Sequence, residues 1–444
     1  MKQRSLWRDA RLPYLVLLAV MLALHAQWTL GTGDDPMYAT MLEKYSLWDF
    51  SLWHYSTWSA RTLVEAVLCI VESWPTWIWR LADPVLITLD AWLAARLLNA
   101  HRSARVGWMA AGLLLCYDWA QLSSAGWVCT TLVFVWPLTA ALAAAQPLAR
   151  ALRGESIPWW SAAGSLLLML YAANMEQVMV VAGVCLAGLL VWHAAARRRP
   201  HWLVWAQLAV VAANGVYALT CPGTAARAAG EATSWFIDFG MRGFFQNAEL
   251  GISNALSGVI YAREMTFFLM CAALCCGIWA RYRCWAARLM GLFPVAAVLV
   301  LGVWGQPLTQ LFPKLSFFKN GLTVKGTVTV VTAWEWKRYL PFLFLCAVFA
   351  VCIVNLYLAL GHSARAWAAG TALCGGFASR AMLGFSPTVW QSGDRTAFFF
   401  LMACLFVTLC VWQSLEDTKR RFQRLLAVLV VLCAAGTTLS LIGA

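Results

Sequence analysis

The chain has 444 residues, of which 62% are apolar and only 12% charged, and it carries a formal net charge of +13. A soluble protein of this length needs more polar residues to cover its surface, so the composition predicts an integral membrane protein. The positive balance comes without a basic run interleaved with exposed aromatics, which argues against a nucleic-acid binder.

Apolar runs of about 17–25 residues predict membrane-crossing helices, because only a helix bonds every backbone polar group within its own segment. In chain order they lie at roughly 12–30, 77–98, 106–122, 127–149, 159–173, 177–195, 202–219, 265–280, 289–304, 339–360, 366–383, 396–413 and 425–442. The expected fold is therefore all-α and polytopic, a single transmembrane domain over 1–444 with about thirteen spans and no C-terminal soluble domain. No small-residue cleavage site follows the first apolar run, so it reads as a retained span. The 27 Trp fit aromatic belts at the two interfaces. Most of the 15 Cys sit inside apolar runs; Cys69 and Cys221 fall in loops, where a bridge between them stays open.

Charge placement orients the chain. With the N-terminus cytoplasmic, the inner segments hold Lys2, Arg4, Arg8 and Arg11, then Arg96, Arg102 and Arg105, Arg150 and Arg153, and Arg197–Arg199. They continue with Arg281, Arg283, Arg288, Arg365, Lys419, Arg420, Arg421 and Arg424. That is 20 of the 33 basic residues, against four acids (Asp9, Glu155, Glu416, Asp417). This is the positive-inside pattern. It places the long loops 31–76, 220–264 and 305–338 on the outer side, where function is expected to reside.

Just after the first span comes Gly33-Asp34-Asp35-Pro36-Met37-Tyr38. Adjacent carboxylates raise one another's pKa, and one can act as a general base while the other orients an acceptor or helps bind a metal. The plainer reading has Asp34 capping a helix that starts near Pro36. Further on, Arg61, Glu65 and Glu72 share one face of an amphipathic helix expected to lie on the outer membrane surface. Asn174-Met175-Glu176-Gln177 forms a turn between two spans, and Cys221-Pro222-Gly223 bends the chain ahead of Arg227. Arg380 ends the eleventh predicted span and precedes Phe385-Ser386-Pro387 and Asp394-Arg395. Such guanidinium groups can hold a phosphate or simply snorkel to the interface. Inside predicted spans stand Asp83, expected to pair with Arg80, Asp90 without an obvious partner, and Asp118. No phosphate-binding glycine loop, dinucleotide fingerprint, H-E-x-x-H or Cys-x-x-Cys motif occurs, and the inner loops are too short for a nucleotide domain.

In order, these motifs resemble those of bacterial polytopic glycosyltransferases of the C superfamily, near the group related to O-antigen glucosyltransferases. The resemblance runs from Asp34-Asp35 through Trp58-Ser59-Ala60-Arg61, Asn174 to Gln177, Cys221-Pro222-Gly223 with Arg227, and Phe385-Ser386-Pro387 with Arg395. It implies a glycosyltransferase-C-like fold and an inverting enzyme that takes a sugar from a polyprenyl-phosphate donor. The acceptor, a glycan or lipid, would be glycosylated on the outer face of the bacterial cytoplasmic membrane. Asp34 or Asp35 would be the base, with Glu176 as a second carboxylate. Tyr38, Trp58, Arg61, Asn174, Gln177, Arg227, Arg380 and Arg395 would bind substrate, the arginines holding the lipid phosphate. Mg²⁺ or Mn²⁺ could join the carboxylates. Two other readings remain open: an O-antigen ligase or polymerase using a lipid pyrophosphate, and a transporter or flippase working through Asp83 and Asp90.

Overall fold

The computed structural model describes residues 8–320, 322, 326, 335–416 and 420–442. Lys2, Arg4, Asp417 and Lys419, and most of 321–334 in the third predicted outer loop, lie outside the described residues. The described residues are 83% helical and contain no strand. Seven helices are long and apolar enough to cross a bilayer, or up to eight when the bent pair Phe244–Ile260 and Met265–Arg281 is one span. By helix length and composition this is a multi-pass membrane protein.

The chain divides into two compact units. The first runs up to Ala229 and takes in Cys433 onward; the second is Gly230–Leu432. The first unit begins with α1 (Leu12–Gln27) and four short helices, α2 (Asp35–Ala39), α3 (Met41–Lys44), α4 (Leu47–Thr57) and α5 (Thr62–Glu72). Longer helices follow: α6 (Thr76–Leu97), α7 (Ala104–Leu115), α8 (Trp127–Leu152), α9 (Trp159–Ala173), α10 (Glu176–Ala195) and α11 (Trp202–Leu219). Next is α12 (Pro222–Trp235), whose last residues belong to the second unit. That unit holds α13 (Phe244–Ile260), α14 (Met265–Arg281), α15 (Trp285–Ala297), α16 (Gly305–Leu311) and α17 (Ser316–Asn320). It continues through α18 (Tyr339–Leu360), α19 (Ala364–Ala381), α20 (Phe398–Glu416) and most of α21 (Arg420–Ile442).

A helix that is apolar all round belongs in a core. In the first unit that helix is α8, packed against α5, α6 and α9; in the second it is α20, packed against α14 and α19. At 26 residues, α8 is about 39 Å long, ample for a core of about 30 Å. The ring of Trp28, just past α1, stacks on Trp127 at 3.8 Å and ties that end of α1 to the start of α8.

Each predicted span falls on a helix, but the one expected at 106–122 ends early. Helix α7 has 12 residues, about 18 Å, and stops at Leu115. Asp118 is therefore outside it. Its carboxylate accepts the Ala120 N–H at 3.2 Å and caps a tight 3₁₀ turn, Trp119–Ala125.

The expected Arg80–Asp83 pair is also replaced. Arg80 reaches to the end of α1 and donates to the carbonyls of His25 and Trp28. A helix C-terminus leaves such carbonyls unpaired and carries partial negative charge, so a guanidinium satisfies it well. Asp83 instead accepts from His25 Nε2 and Trp136 Nε1, both at 2.9 Å. His25 Nδ1 lies 2.8 Å from the Met21 carbonyl. Both ring nitrogens thus face oxygen atoms, which fixes the orientation of the imidazole between α1 and α6. Asp90, expected to lack a partner, has its Oδ1 buried without a hydrogen bond among the described residues, while the neighbouring Thr139 hydroxyl donates to the Val135 carbonyl at 3.1 Å. Cys69 and Cys221 are free, buried thiols, and Cys221 donates to the Tyr55 carbonyl at 3.0 Å.

Candidate functional site

Several helices of the first unit begin without a capping side chain of their own, and for two of them, α8 and α5, a motif residue from elsewhere supplies it. Gly126 stands at the N-cap of α8 and has nothing to offer the orphan N–H groups. Asp35, brought over on α2, accepts the Cys129 N–H at 3.0 Å, where a carboxylate also complements the helix dipole. The approach needs two glycines. Gly33 (φ +62°) and Gly126 (φ +96°) both lie in the left-handed region. A Cβ on Gly33 would strike the Ala125 backbone, and one on Gly126 would strike the Asp35 carboxylate. The Asp34 N–H closes the contact by donating to the Ala125 carbonyl at 3.0 Å.

This arrangement separates the acidic pair. Asp35 is 2% exposed, whereas Asp34 is exposed at the N-cap position of α2 and makes no side-chain cap bond there. One carboxylate is a structural anchor. The other is presented to the surroundings on a rigid turn.

Helix α5 is the second case. Arg61 stands at its N-cap without capping it. The Asn174 carboxamide, from the turn between α9 and α10, accepts the N–H groups of Leu63 at 2.8 Å and Val64 at 3.2 Å. It also donates to the Ala60 carbonyl at 3.0 Å. Beside it, Arg61 Nε donates to Glu176 Oε2 at 2.6 Å, and Gln177 is buried in the first turn of α10. Asn174→Ala removes three hydrogen bonds from a buried side chain. It is expected to lower stability by about 1–3 kcal/mol, read as a lower midpoint of thermal unfolding in detergent.

The structure turns α5 the opposite way from the amphipathic surface helix expected of it. Glu65 is buried together with Val64, Leu68 and Val71, while Leu63 is exposed, because the helix packs against α2, α4 and α8 rather than lying on a surface. Glu65 receives the Ser59 hydroxyl at 2.9 Å and meets His54 Nδ1 at 2.5 Å. Tyr38, also buried, sets its edge on the His54 ring at 6.3 Å. Burial, with the charge of Glu65 adding, holds the Tyr38 phenol far above its ordinary range, so it stays protonated. Glu72 lies against Asp35 and Cys129, their ligand atoms all within 4.8 Å of one another. Burial, then the neighbouring Asp35 carboxyl, pushes the Glu72 carboxyl up to about 8. Burial, helped by Glu65 and Glu72, likewise raises the Cys69 thiol to about 12, which leaves it inert at neutral pH.

Trp58 is 44% exposed, and the Arg227 guanidinium sits over its ring at 5.4 Å. Close packing holds α12 there: a Cβ on Gly223 would meet the backbone of residues 55–58. The first unit therefore gathers Asp35, Tyr38, Glu65, Glu72 and Cys129 around the inner face of α5. Arg61, Asn174 and Glu176 stand at the start of that helix, and Trp58 and Arg227 form a further pair.

In the second unit, Arg380 is 5% exposed and donates to the Thr396 hydroxyl, with the charge of Asp394 nearby. Arg395 is half-buried in the adjoining turn Asp394–Ala397.

Sequence reasoning missed His54, Ser59, Cys129 and the inward aim of Glu65 and Glu72. The seven-residue spacing of the two glutamates did show a shared face, but not which way it pointed. No family model, curated protein or solved structure matches the chain, and the functional reading rests on its own residues.

Proposed function

We propose that this protein is an inverting glycosyltransferase that moves a sugar from a polyprenyl-phosphate donor to a glycan or lipid acceptor. The reaction takes place at the outer face of a bacterial cytoplasmic membrane. The observation that carries the reading is the split acidic pair: Asp35 fixed at the start of α8 and Asp34 exposed on the same anchored turn. Asp34, exposed on that turn, is placed to take the proton of an acceptor hydroxyl. The acceptor oxygen attacks the anomeric carbon on the face opposite the phosphate, the glycosyl–phosphate bond breaks, and its electrons leave on the phosphate oxygen. Configuration inverts.

A leaving phosphate needs fixed positive charge nearby. Arg227 is the first candidate, held over Trp58, whose indole offers a platform for a sugar face. Arg61 is charge-balanced by Glu176, so this pair suits orienting the acceptor better than holding the lipid phosphate. Within the second unit, Arg380 is a separate candidate for holding an anion, a buried guanidinium bonded to the Thr396 hydroxyl, and Arg395 lies in the same turn as Thr396. An apolar groove along α6, lined by Trp77, Leu81, Val85 and Trp136, starts five residues beyond Glu72 and suits the prenyl chain. Of the two intramembrane acids that a transporter reading requires, Asp83 is engaged by His25 and Trp136, which favours a structural role for it.

The test is thermal unfolding of the detergent-purified protein with undecaprenyl phosphate, undecaprenyl pyrophosphate or a neutral polyprenol. A ligand that binds only the folded state stabilises by RT ln(1 + [L]/Kd), about 2.7 kcal/mol at a hundredfold excess over Kd. Selective stabilisation by the monophosphate, weakened in Arg227→Ala or Arg380→Ala, is the expected result. Preference for the pyrophosphate supports the ligase or polymerase reading instead.

A further inference from the structure

Asp35, Glu72 and Cys129 come from three helices, α2, α5 and α8, and converge as the group of potential metal ligands found among the described residues. Convergence of acids alone would mean little. A second observation concerns Asp35: its Oδ1 is committed to the Cys129 N–H, while its Oδ2 is sealed from solvent with no hydrogen-bond partner. The carboxyl that faces it, Glu72, is another acceptor. Two carboxylates this close offer each other only lone pairs, so either a proton or a cation has to join them.

The third donor decides which cation fits. Magnesium and calcium take oxygen ligands, whereas a thiolate selects a borderline-soft ion. Zinc binds cysteine sulfur at about 2.3 Å and carboxylate oxygen at about 2.0–2.2 Å, so tetrahedral angles put sulfur and oxygen about 3.6 Å apart. Cys129 Sγ already stands 3.8 Å from Glu72 Oε1. Three protein ligands leave one position for water or a substrate oxygen, the pattern of zinc sites that do chemistry.

We propose that Asp35, Glu72 and Cys129 form a binding site for a zinc-like divalent cation, joining α2, α5 and α8 beneath the turn that presents Asp34. The assignment is independent of the transferase reading, and its test is a metal readout, so either can fail without the other. Cobalt(II) is the probe, because a thiolate ligand gives it a sulfur-to-metal charge-transfer band in the near ultraviolet. The full chain, purified in detergent and stripped with chelator, is titrated with Co²⁺ and then challenged with Zn²⁺ or Mg²⁺.

The expected result is a single equivalent bound with the thiolate band, displaced by Zn²⁺ and not by Mg²⁺. Cys129→Ser abolishes the band, Glu72→Gln weakens binding by about tenfold or more, and Cys69→Ser, which removes the neighbouring thiol, leaves both unchanged. Circular dichroism and size exclusion establish that each variant is folded. Should Glu72→Gln not fold, the wild-type spectrum and Cys129→Ser decide the matter alone. Failure of the wild type to bind Co²⁺, binding without a thiolate band, or a band that survives in Cys129→Ser overturns the site and leaves the two carboxyls joined by a proton.

Discussion

Asp34→Asn is expected to cut sugar transfer by about 10²–10⁴-fold, the usual contribution of a positioned general base. Stability should stay within about 0.5 kcal/mol of wild type, as for other exposed side chains. The reason is local. Asp34 is held by its backbone, through the N–H donated to Ala125, and its side chain caps nothing. Asparagine keeps the shape and removes the charge and basicity of the carboxylate. Asp35→Asn is expected to behave differently, because that carboxylate holds the first turn of α8 and stands against Glu72 and Cys129. An amide there loses the charge that complements the helix dipole and gives up one of the three converging ligand groups. It should lower the unfolding midpoint along with activity. Comparing transfer and thermal unfolding in both variants separates the base from the anchor. Full transfer by Asp34→Asn would falsify the assignment of Asp34 as base.

The second large effect is structural. Asp83→Ala is expected to destabilise the protein by about 2–5 kcal/mol, the cost of leaving two buried hydrogen-bond partners unsatisfied at about 1–3 kcal/mol each. Asp83 and His25 are both fully buried, and the substitution strands the His25 Nε2–H and the Trp136 indole N–H together. Replacing both partners, His25→Leu with Asp83→Leu, should recover part of that loss, since it removes the stranded imidazole while the Trp136 N–H stays unpaired. A double-mutant cycle by chemical unfolding in micelles measures the coupling. A loss below about 1 kcal/mol in Asp83→Ala would show that the contact is incidental.

Much of the helical framework was legible because a hydrocarbon environment leaves so few alternatives. Long apolar runs at 127–149, 177–195 and 202–219 coincide with α8, α10 and α11. The run at 106–122 misled because hydropathy averages over Asp118, whereas the backbone responds to it as a cap. Arg80 and Asp83 misled for a related reason. Spacing along one helix shows what can meet locally, but the end of α1 and the ring of His25 come from a distant part of the chain.

The motif residues at the site were visible from their polarity at helix ends; what they bond to was not. Asp35 read as a candidate catalytic carboxylate and Asn174 as a substrate-binding group, and both cap helices that lack caps of their own. The inward turn of α5 could not be read because its apolar and acidic faces suit either a membrane surface or a polar protein interior. Packing by α2, α4 and α8 selects the interior. Cys129 carries no local signal at all, sitting in a run of apolar residues that would look the same without it.

The most direct test gives the purified, membrane-reconstituted protein a polyprenyl-phosphate sugar of known anomeric configuration together with envelope glycan or lipid acceptors. Products are followed by mass spectrometry and by the anomeric coupling of the transferred sugar. The prediction is release of free polyprenyl phosphate in step with a new glycoside of inverted configuration, both lost in Asp34→Asn. Retained configuration, or a donor left intact while acceptors carrying a lipid pyrophosphate are consumed, would contradict it.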